Sequence, residues 1–346
     1  MPDFRAIFKR NFFIRLRSWE YWPFGFVQAP IFLYYPILAL RTGSLFFFSA
    51  SNPGILMGGM FGESKFEVLE LIPKELKPKT ILIKLHATLE TITRAMAESG
   101  ISYPAIFKPD LGERGWMVRK IHDDSEALEY LREIKIEFLV QEFVGLPLEF
   151  GVFYIRYPSE SQGKVTSIVE KEMLSITGDG VTTIQDLIQR HDRALLQWEI
   201  LRKRFASRLG EVLAANQMLE LNSIGNHSLG TKFLDGASLI NDKLSHSFDR
   251  ISLQVPGFFF GRYDLRAASY EDLENGKVLI VELNGCGAEP AHIYQPGYSI
   301  WKAFGVMIRH WQDIFRISRE NHARGVPYIS FAEGRSIYRK FKAIIS

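Results

Sequence analysis

At 346 residues the chain can bury a sizeable core and divide into two or three lobes, and 47% hydrophobic against 23% charged residues excludes a disordered or fibrous class. A single cysteine, Cys286, excludes an internal disulfide and fits a reducing compartment, so a cytoplasmic location is expected. The formal charge of +3 is uneven: residues 1–63 carry six basic and three acidic groups and residues 309–346 carry eight and three, which leaves an acidic middle that argues against nucleic acid as a partner and basic ends suited to an anionic surface.

Residues 1–63 read as an aromatic, basic N-terminal lobe. Arg5, Lys9, Arg10, Arg15 and Arg17 alternate with Phe4, Phe8, Phe12, Phe13 and Leu16 at helical spacing. Tyr21 to Leu40 then run twenty residues without a charge, long enough on paper to span a bilayer. Pro23, Pro30 and Pro36 each remove a backbone donor and argue against a regular spanning helix. The apolar part also starts too late for a cleaved signal peptide. Two readings of residues 1–45 stay open: an amphipathic entry lying in a membrane interface, with peripheral membrane association, or a helical lobe packed on the rest of the protein.

From Ser64, which caps a short helix carrying Lys65 in its first turn, the pattern changes. KTILIKL predicts a strand, ATLETITRAMAES an amphipathic helix, and YPAIFKPDLGERGWMV two strands around a glycine turn. A helix over DDSEALEYLREI and strands over EFLVQEFV and EFGVFYIRY follow. Residues 164–183 predict strands closing on the tight turn Gly178-Asp179-Gly180, and 184–216 are mostly helical. LNSIGNHSLGTKFLDG reads as a polar loop and YQPGYSIWKAFGVMIRHWQDIFRISREN as a long helix; the last twenty residues are basic and peripheral. The order β-loop-β, helix, β predicts an α+β class with antiparallel sheets rather than a doubly wound sheet.

Candidate chemistry concentrates between Gly261 and Asn284. Asp264 sits near the end of one apolar run, and Glu282 and Asn284 lie on a second run two residues apart, so they share a face. Two neighbouring strands would aim three oxygen ligands at one point, a set that suits Mg²⁺. A plain hairpin with solvated acids would show the same pattern. Lys108 ends a strand before Pro109, Gly112 and Gly115, a plausible phosphate clamp closed by backbone amides. Gln141, Glu142 and Val144 could offer an adenine a backbone donor and acceptor, and Glu149 could accept from ribose hydroxyls. Asn226, His227 and Lys232 in the polar loop could grip a second, anionic substrate.

In this order, SK at Ser64-Lys65, FKPDLGERG, VQEFV with a glutamate beyond it, GRYDL and VELNG resemble the ATP-grasp superfamily, notably its carboxylate–amine ligases of the D-alanine–D-alanine ligase type, and TGDGVTTIQDLI and NHSLGTKFLDG also look like the ATP-grasp part of cyanophycin synthetase. The resemblance implies an ATP-grasp domain over 64–308, with a nucleotide subdomain at about 100–150 and a metal and substrate subdomain at 164–308 that clasp ATP, followed by a basic extension, 309–346. It implies ATP with Mg²⁺ or Mn²⁺, Lys65 and Lys108 on the phosphates, Glu142 and Val144 at the adenine and Glu149 at the ribose. Asp264, Glu282 and Asn284 would bind the metal, and Arg262 with Lys108 would act in catalysis. The implied reaction activates a carboxylate as an acyl phosphate and joins it to an amine, releasing ADP and phosphate. A hydroxyl-phosphorylating kinase on the same fold and a non-catalytic ATP binder docked on a membrane or partner are the alternatives, and a homodimer stays open. Trp116 and Met117 stand where the family usually has small residues, and residues before Ser64 do not resemble the family's N-terminal domain, so no small amino acid is implied as substrate.

Overall fold

Short apolar runs bounded by glycine, proline or charge form the strands of this protein. The computed structural model describes residues 4–112 and 115–345; the side chains of residues 4–9, and so the expected positions of Phe4, Arg5, Phe8 and Lys9, lie outside the described residues, as do Glu113 and Arg114 of the glycine turn. In chain order the strands are β1 (Thr80–Ile83), β2 (Ala105–Pro109), β3 (Arg119–Ile121), β4 (Phe138–Glu142), β5 (Leu148–Ile155), β6 (Lys164–Glu172), β7 (Ser175–Thr177), β8 (Met218–Glu220), β9 (Lys232–Asp235), β10 (Phe260–Ala267) and β11 (Leu279–Asn284).

The first sheet has the order β1-β4-β2-β3, antiparallel throughout. Two helices cover it, Leu89–Glu98 and Asp124–Glu133, and each starts where a side chain satisfies free backbone amides: Thr88 accepts from Thr91, and Asp123 from Ser125 and Glu126. Their apolar faces, Ile92 with Met96 and Ala127 with Tyr130, bury against Phe107, Phe138 and Val140.

The second sheet runs β11-β10-β5-β6-β9, again antiparallel. Its central strand β5 is buried almost from end to end because both faces are covered. Helix Asp242–Leu253 lays Leu244, Phe248 and Ile251 on one face. Against the end of the other face, Phe153, Ile155 and Phe260 meet Leu38, Phe47 and Phe48 from the N-terminal segment and Ile314 and Ile317 from helix Ile300–Ala323. Each such buried side chain contributes about 2 kcal/mol of transfer free energy. The expected α+β class with antiparallel sheets is therefore what the structure shows.

Residues 46–60 are stitched into this second unit. The Asn52 amide, fully buried, donates to the carbonyls of Gly58 (2.9 Å) and Phe260 (2.8 Å) and accepts from the amides of Phe259 (2.9 Å) and Phe260 (3.0 Å). Cys286 and Gly287 donate backbone hydrogen bonds to Gly58 and Gly59. The two backbones run so close that a Cβ on Gly59, whose φ is +79°, would lie 2.6 Å from the Gly285 Cα. Helix Ala29–Thr42 packs Leu38 and Ala39 inward and carries Pro36 in its interior, so the prolines interrupt but do not abolish helix here. No described helix is long and apolar enough to cross a membrane.

Three expectations are corrected. β6 and β7 do not close on Gly178-Asp179-Gly180: β6 pairs with β5 and β9, β7 pairs with β8, and Asp179 instead turns the chain by accepting from the amides of Val181 and Thr182. The polar loop contains the edge strand β9, which buries only Phe233 and so hides its period. The C-terminal residues are not all peripheral, since helix Phe331–Ile345 sets Phe341 on Phe61 and stacks Phe331 on Phe46. Asn52→Ala would strand three backbone groups, the Phe260 carbonyl and the Phe259 and Phe260 amides, while the Gly58 carbonyl keeps the Cys286 amide, and is expected to lower unfolding stability by about 3 kcal/mol, read as a shifted urea midpoint. A midpoint within error of wild type would refute the stitching role.

Candidate functional site

Both sheets line a cavity of about 830 Å³. On its floor β10 and β11 pair with Asp264 opposite Glu282 and Arg262 opposite Asn284. Directly opposed residues share a face, so all four side chains reach the cavity while Tyr263, Leu265 and Leu283 pack behind in the core. Gly151 of β5, opposite Asp264, makes room: a Cβ there would lie 3.1 Å from the Arg262 side chain and 3.3 Å from the Asp264 carboxylate.

Asp264 is the most heavily engaged acid. Its Oδ2 accepts from Arg262 Nη2 (3.0 Å) and Asn284 Nδ2 (2.9 Å), and Lys171 Nζ stands 2.9 Å from Oδ1. Burial alone would raise its pKa, but Arg262 and Lys171 outweigh that and hold it down at about 2. Lys171 also donates to Glu149 (3.0 Å), whose other oxygen takes Arg266 Nη2 (2.7 Å) and Nε (3.0 Å). Lys65 lies 3.7 Å from Glu282 and donates to the carbonyl of Gly112. Its helix is fixed by Asp110, which accepts from Ser64 Oγ and the Phe66 amide, both at 2.9 Å.

Lys108 joins the two sheets. Its ammonium, buried, donates to the Val281 carbonyl of β11 (2.9 Å) and to Gln141 Oε1 of β4 (3.1 Å). Loss of hydration lowers its pKa to about 8, against the pull of Glu282 and with the repulsion of Lys65. Five cations, Lys65, Lys108, Lys171, Arg262 and Arg266, thus interleave with the carboxylates Glu149, Asp264 and Glu282, and Glu63, Glu142 and Glu289 line the same cavity, so the site offers cations to an anion and acids to a metal side by side.

Most expected residues meet in this cavity: Lys65, Lys108, Gly112, Gly115, Gln141, Glu142, Val144, Glu149, Arg262, Asp264, Glu282 and Asn284 all line it. Gln141, however, spends its side chain on Lys108 and Thr80, and Glu149 spends both oxygens on cations. Asn226 and His227 line the opposite wall, with Asn226 against the Gly115 turn. Lys232 is the exception: it pairs with Glu172 (3.1 Å) outside the residues that line the cavity. Among the described residues no three of His, Cys, Asp and Glu converge as a metal site, so the candidate set needs the Asn284 amide as its third donor.

Several residues went unnoticed in the sequence. Lys171 belongs to no recognisable motif, although its alternate position on β6 puts it on the Glu149 face. The N-terminal segment adds Tyr21, Trp22, Phe24, Val27 and Gln28 to the cavity wall. Buried Glu20 binds Arg193, and the Tyr21 ring stacks on His227 at 5.5 Å. Gln28 and Tyr294 donate to Glu289, whose backbone carbonyl accepts from Arg262 (3.0 Å). Cys286 is buried behind the floor with its thiol pushed up to about 12, and buried His310 is pushed down to about 3 by desolvation, so neither is a ready nucleophile or base.

No family model and no curated protein matches the chain. Among solved structures it is similar to the D-alanine–D-alanine ligase of Coxiella burnetii, at 11% identity and TM-score 0.42 over 83% of this chain and 62% of that one. It is also similar to the D-alanine–D-alanine ligase of Bacillus anthracis, at 12% identity and TM-score 0.43 over 79% of this chain and 72% of that one. A bifunctional glutathione synthetase from Pasteurella multocida aligns at 14% identity and TM-score 0.37 over 72% of this chain and 36% of that one. The chain spans less than two thirds of the length of the Coxiella and Pasteurella proteins. At these values the functional reading rests on the chain's own residues.

Lys108 provides a pH test. The unfolded chain keeps this proton up to a pKa near 10.5, whereas the folded protein releases it from about 8. Between those values the unfolded state binds more protons, so the Lys108 contribution favours folding increasingly as pH rises, while its desolvation cost is fully present below 8. A lysine ε-methylene NMR titration, assigned with Lys108→Arg, is expected to show one resonance with a midpoint near pH 8. A midpoint above 10 would mean that the amine is hydrated.

Proposed function

We propose that this chain is an ATP- and Mg²⁺-dependent ligase of the ATP-grasp type, which activates a substrate carboxylate as an acyl phosphate and joins it to an amine. The observation that carries the reading is the cavity floor, where two carboxylates and an amide from adjacent strands lie among five cations. The donor set fits Mg²⁺, with Asp264, Glu282 and the Asn284 oxygen as its holders. When bound, the metal neutralises phosphate oxygens and orients them for transfer.

The remaining work falls to the chain's own groups. Lys65 and Lys108 neutralise the nucleotide phosphates, and Gln141 keeps Lys108 aimed at them. Glu142 and Val144 offer backbone groups to the adenine edge. Glu149, expected at the ribose, holds Lys171 and Arg266 in place and so shapes the charge beneath the nucleotide. Arg262, braced by Asp264 and the Glu289 carbonyl, lies where negative charge would grow on the transferring phosphoryl group. The turn at Gly112 and Gly115 would cover the reaction and exclude water.

In the first step a carboxylate oxygen bonds to the terminal phosphorus of ATP as the bond to the ADP oxygen breaks. In the second the amine nitrogen bonds to the acyl carbon, phosphate leaves with the electron pair of the broken C–O bond, and the amine loses a proton. The wall formed by Tyr21, Gln28, Asn226 and His227 would select the two substrates.

With ATP, Mg²⁺ and pooled carboxylic acids, hydroxylamine is expected to trap a hydroxamate alongside ADP. ADP without hydroxamate in every pool would replace the carboxylate with a hydroxyl acceptor. Glu282→Gln is expected to lower this turnover about 100-fold or more while leaving the circular dichroism spectrum unchanged, and wild-type rates in that variant would remove the metal assignment.

A further inference from the structure

Helix Ala29–Thr42 has two unlike sides. Ile31, Leu38 and Ala39 are buried, but Phe32, Leu33, Pro36, Ile37 and Leu40, spaced i, i+1, i+4, i+5 and i+8, form one exposed face without a polar side chain. The exposure is large: 78% for Leu33, 83% for Leu40 and 71% for Phe26 in the preceding turn. Folding has therefore left uncovered what a soluble surface would normally shield. At about 21 Å the helix is too short to cross a bilayer, so the face can lie on a membrane but not span it.

Cations rim this face. Arg41 ends the helix and lies over the Phe315 ring. The neighbouring helix Ile300–Ala323 exposes Trp301, Lys302 and Arg309, the last one turn before Gln312, which reaches the Tyr34 hydroxyl. Earlier in the segment Phe12, Phe13 and Leu16 are exposed, as are Arg15 and Arg17 beside them. The nearest acid in sequence, Glu20, is buried against Arg193. A second copy pressed on this face would oppose cation to cation, whereas an anionic surface with an apolar interior meets both halves of the pattern.

We propose that the outer face of helix Ala29–Thr42, with its basic rim, seats the protein on an anionic lipid bilayer. The phenyl and leucyl side chains enter the headgroup boundary, Trp301 sits at its level, and Arg41, Lys302 and Arg309 meet lipid phosphates. The inner side of the same segment, through Trp22, Phe24 and Val27, lines the cavity, so docking would hold the site close to the bilayer surface. Docking does not depend on the chemistry of the cleft.

The test is co-sedimentation of the full chain with vesicles of phosphatidylcholine alone or mixed with phosphatidylglycerol, without nucleotide. The wild type is expected to bind the anionic vesicles at least about tenfold better than the neutral ones, and raised salt is expected to weaken binding. Leu33→Glu with Leu40→Glu, at positions too exposed to affect folding, is expected to abolish the difference. Wild-type protein that stays in the supernatant with both vesicles would overturn the proposal, as would equal binding by the double variant. A wild-type dimer that the double variant dissociates, with no vesicle binding, would overturn it in favour of a second copy.

Discussion

Five cations interleaved with carboxylates in a half-buried cleft is an arrangement that folding would not select for its own sake. Each desolvated charge costs several kcal/mol, and even paired charges recover little of that cost. Lys108 shows the tension directly, its ammonium destabilised by burial yet pinned between two sheets by a carbonyl and an amide oxygen. The rest of the molecule supplies what this costs: a core on each face of the second sheet, two capped helices on the first, and the backbone seam between residues 58–59 and 285–287. A bound polyanion with its metal would give these charges a further use.

The floor of the site was legible because its geometry is local. On β11, Glu282 and Asn284 two apart must share a face, and the return from β10 is short enough to pair them with Asp264 and Arg262. Lys108 was legible as a lysine closing an apolar strand before a glycine turn. Lys171 was not, because it enters through the pairing of β5 with β6, and charged residues at alternate strand positions are ordinary. The misread hairpin at residues 178–180 has a similar cause. Gly-Asp-Gly suits a tight turn between strands, and equally suits an aspartate that closes a turn just ahead of helix Ile184–Arg190, so local chemistry could not choose.

Residues 1–63 were harder because one composition serves two purposes. The stretch through Leu45 is aromatic and partly exposed, whereas residues 46–60 are mostly buried. What distinguishes them is the partner each meets, and those partners lie more than two hundred residues away, at Phe260, Gly285 and Asn321. Periodicity shows that a helix has two faces but not what covers either of them. The cavity wall at Tyr21 and Gln28 escaped notice for the same reason.

The seam that joins residues 46–60 to the end of β11 also constrains how the protein can be made. Phe47, Phe48 and Asn52 leave the ribosome long before Phe260, Gly285, Asn321 and Ile329, the groups that bury and bond them, have been synthesised. The first sheet, whose strands and helices all fall within residues 80–142, can close and be covered while translation continues, whereas one face of the second waits for Ile314 and Ile317. The nascent chain therefore carries an unburied aromatic segment through most of its synthesis, and the seam behind the floor closes only when residues 46–60 meet Phe260, Asn321 and Ile329.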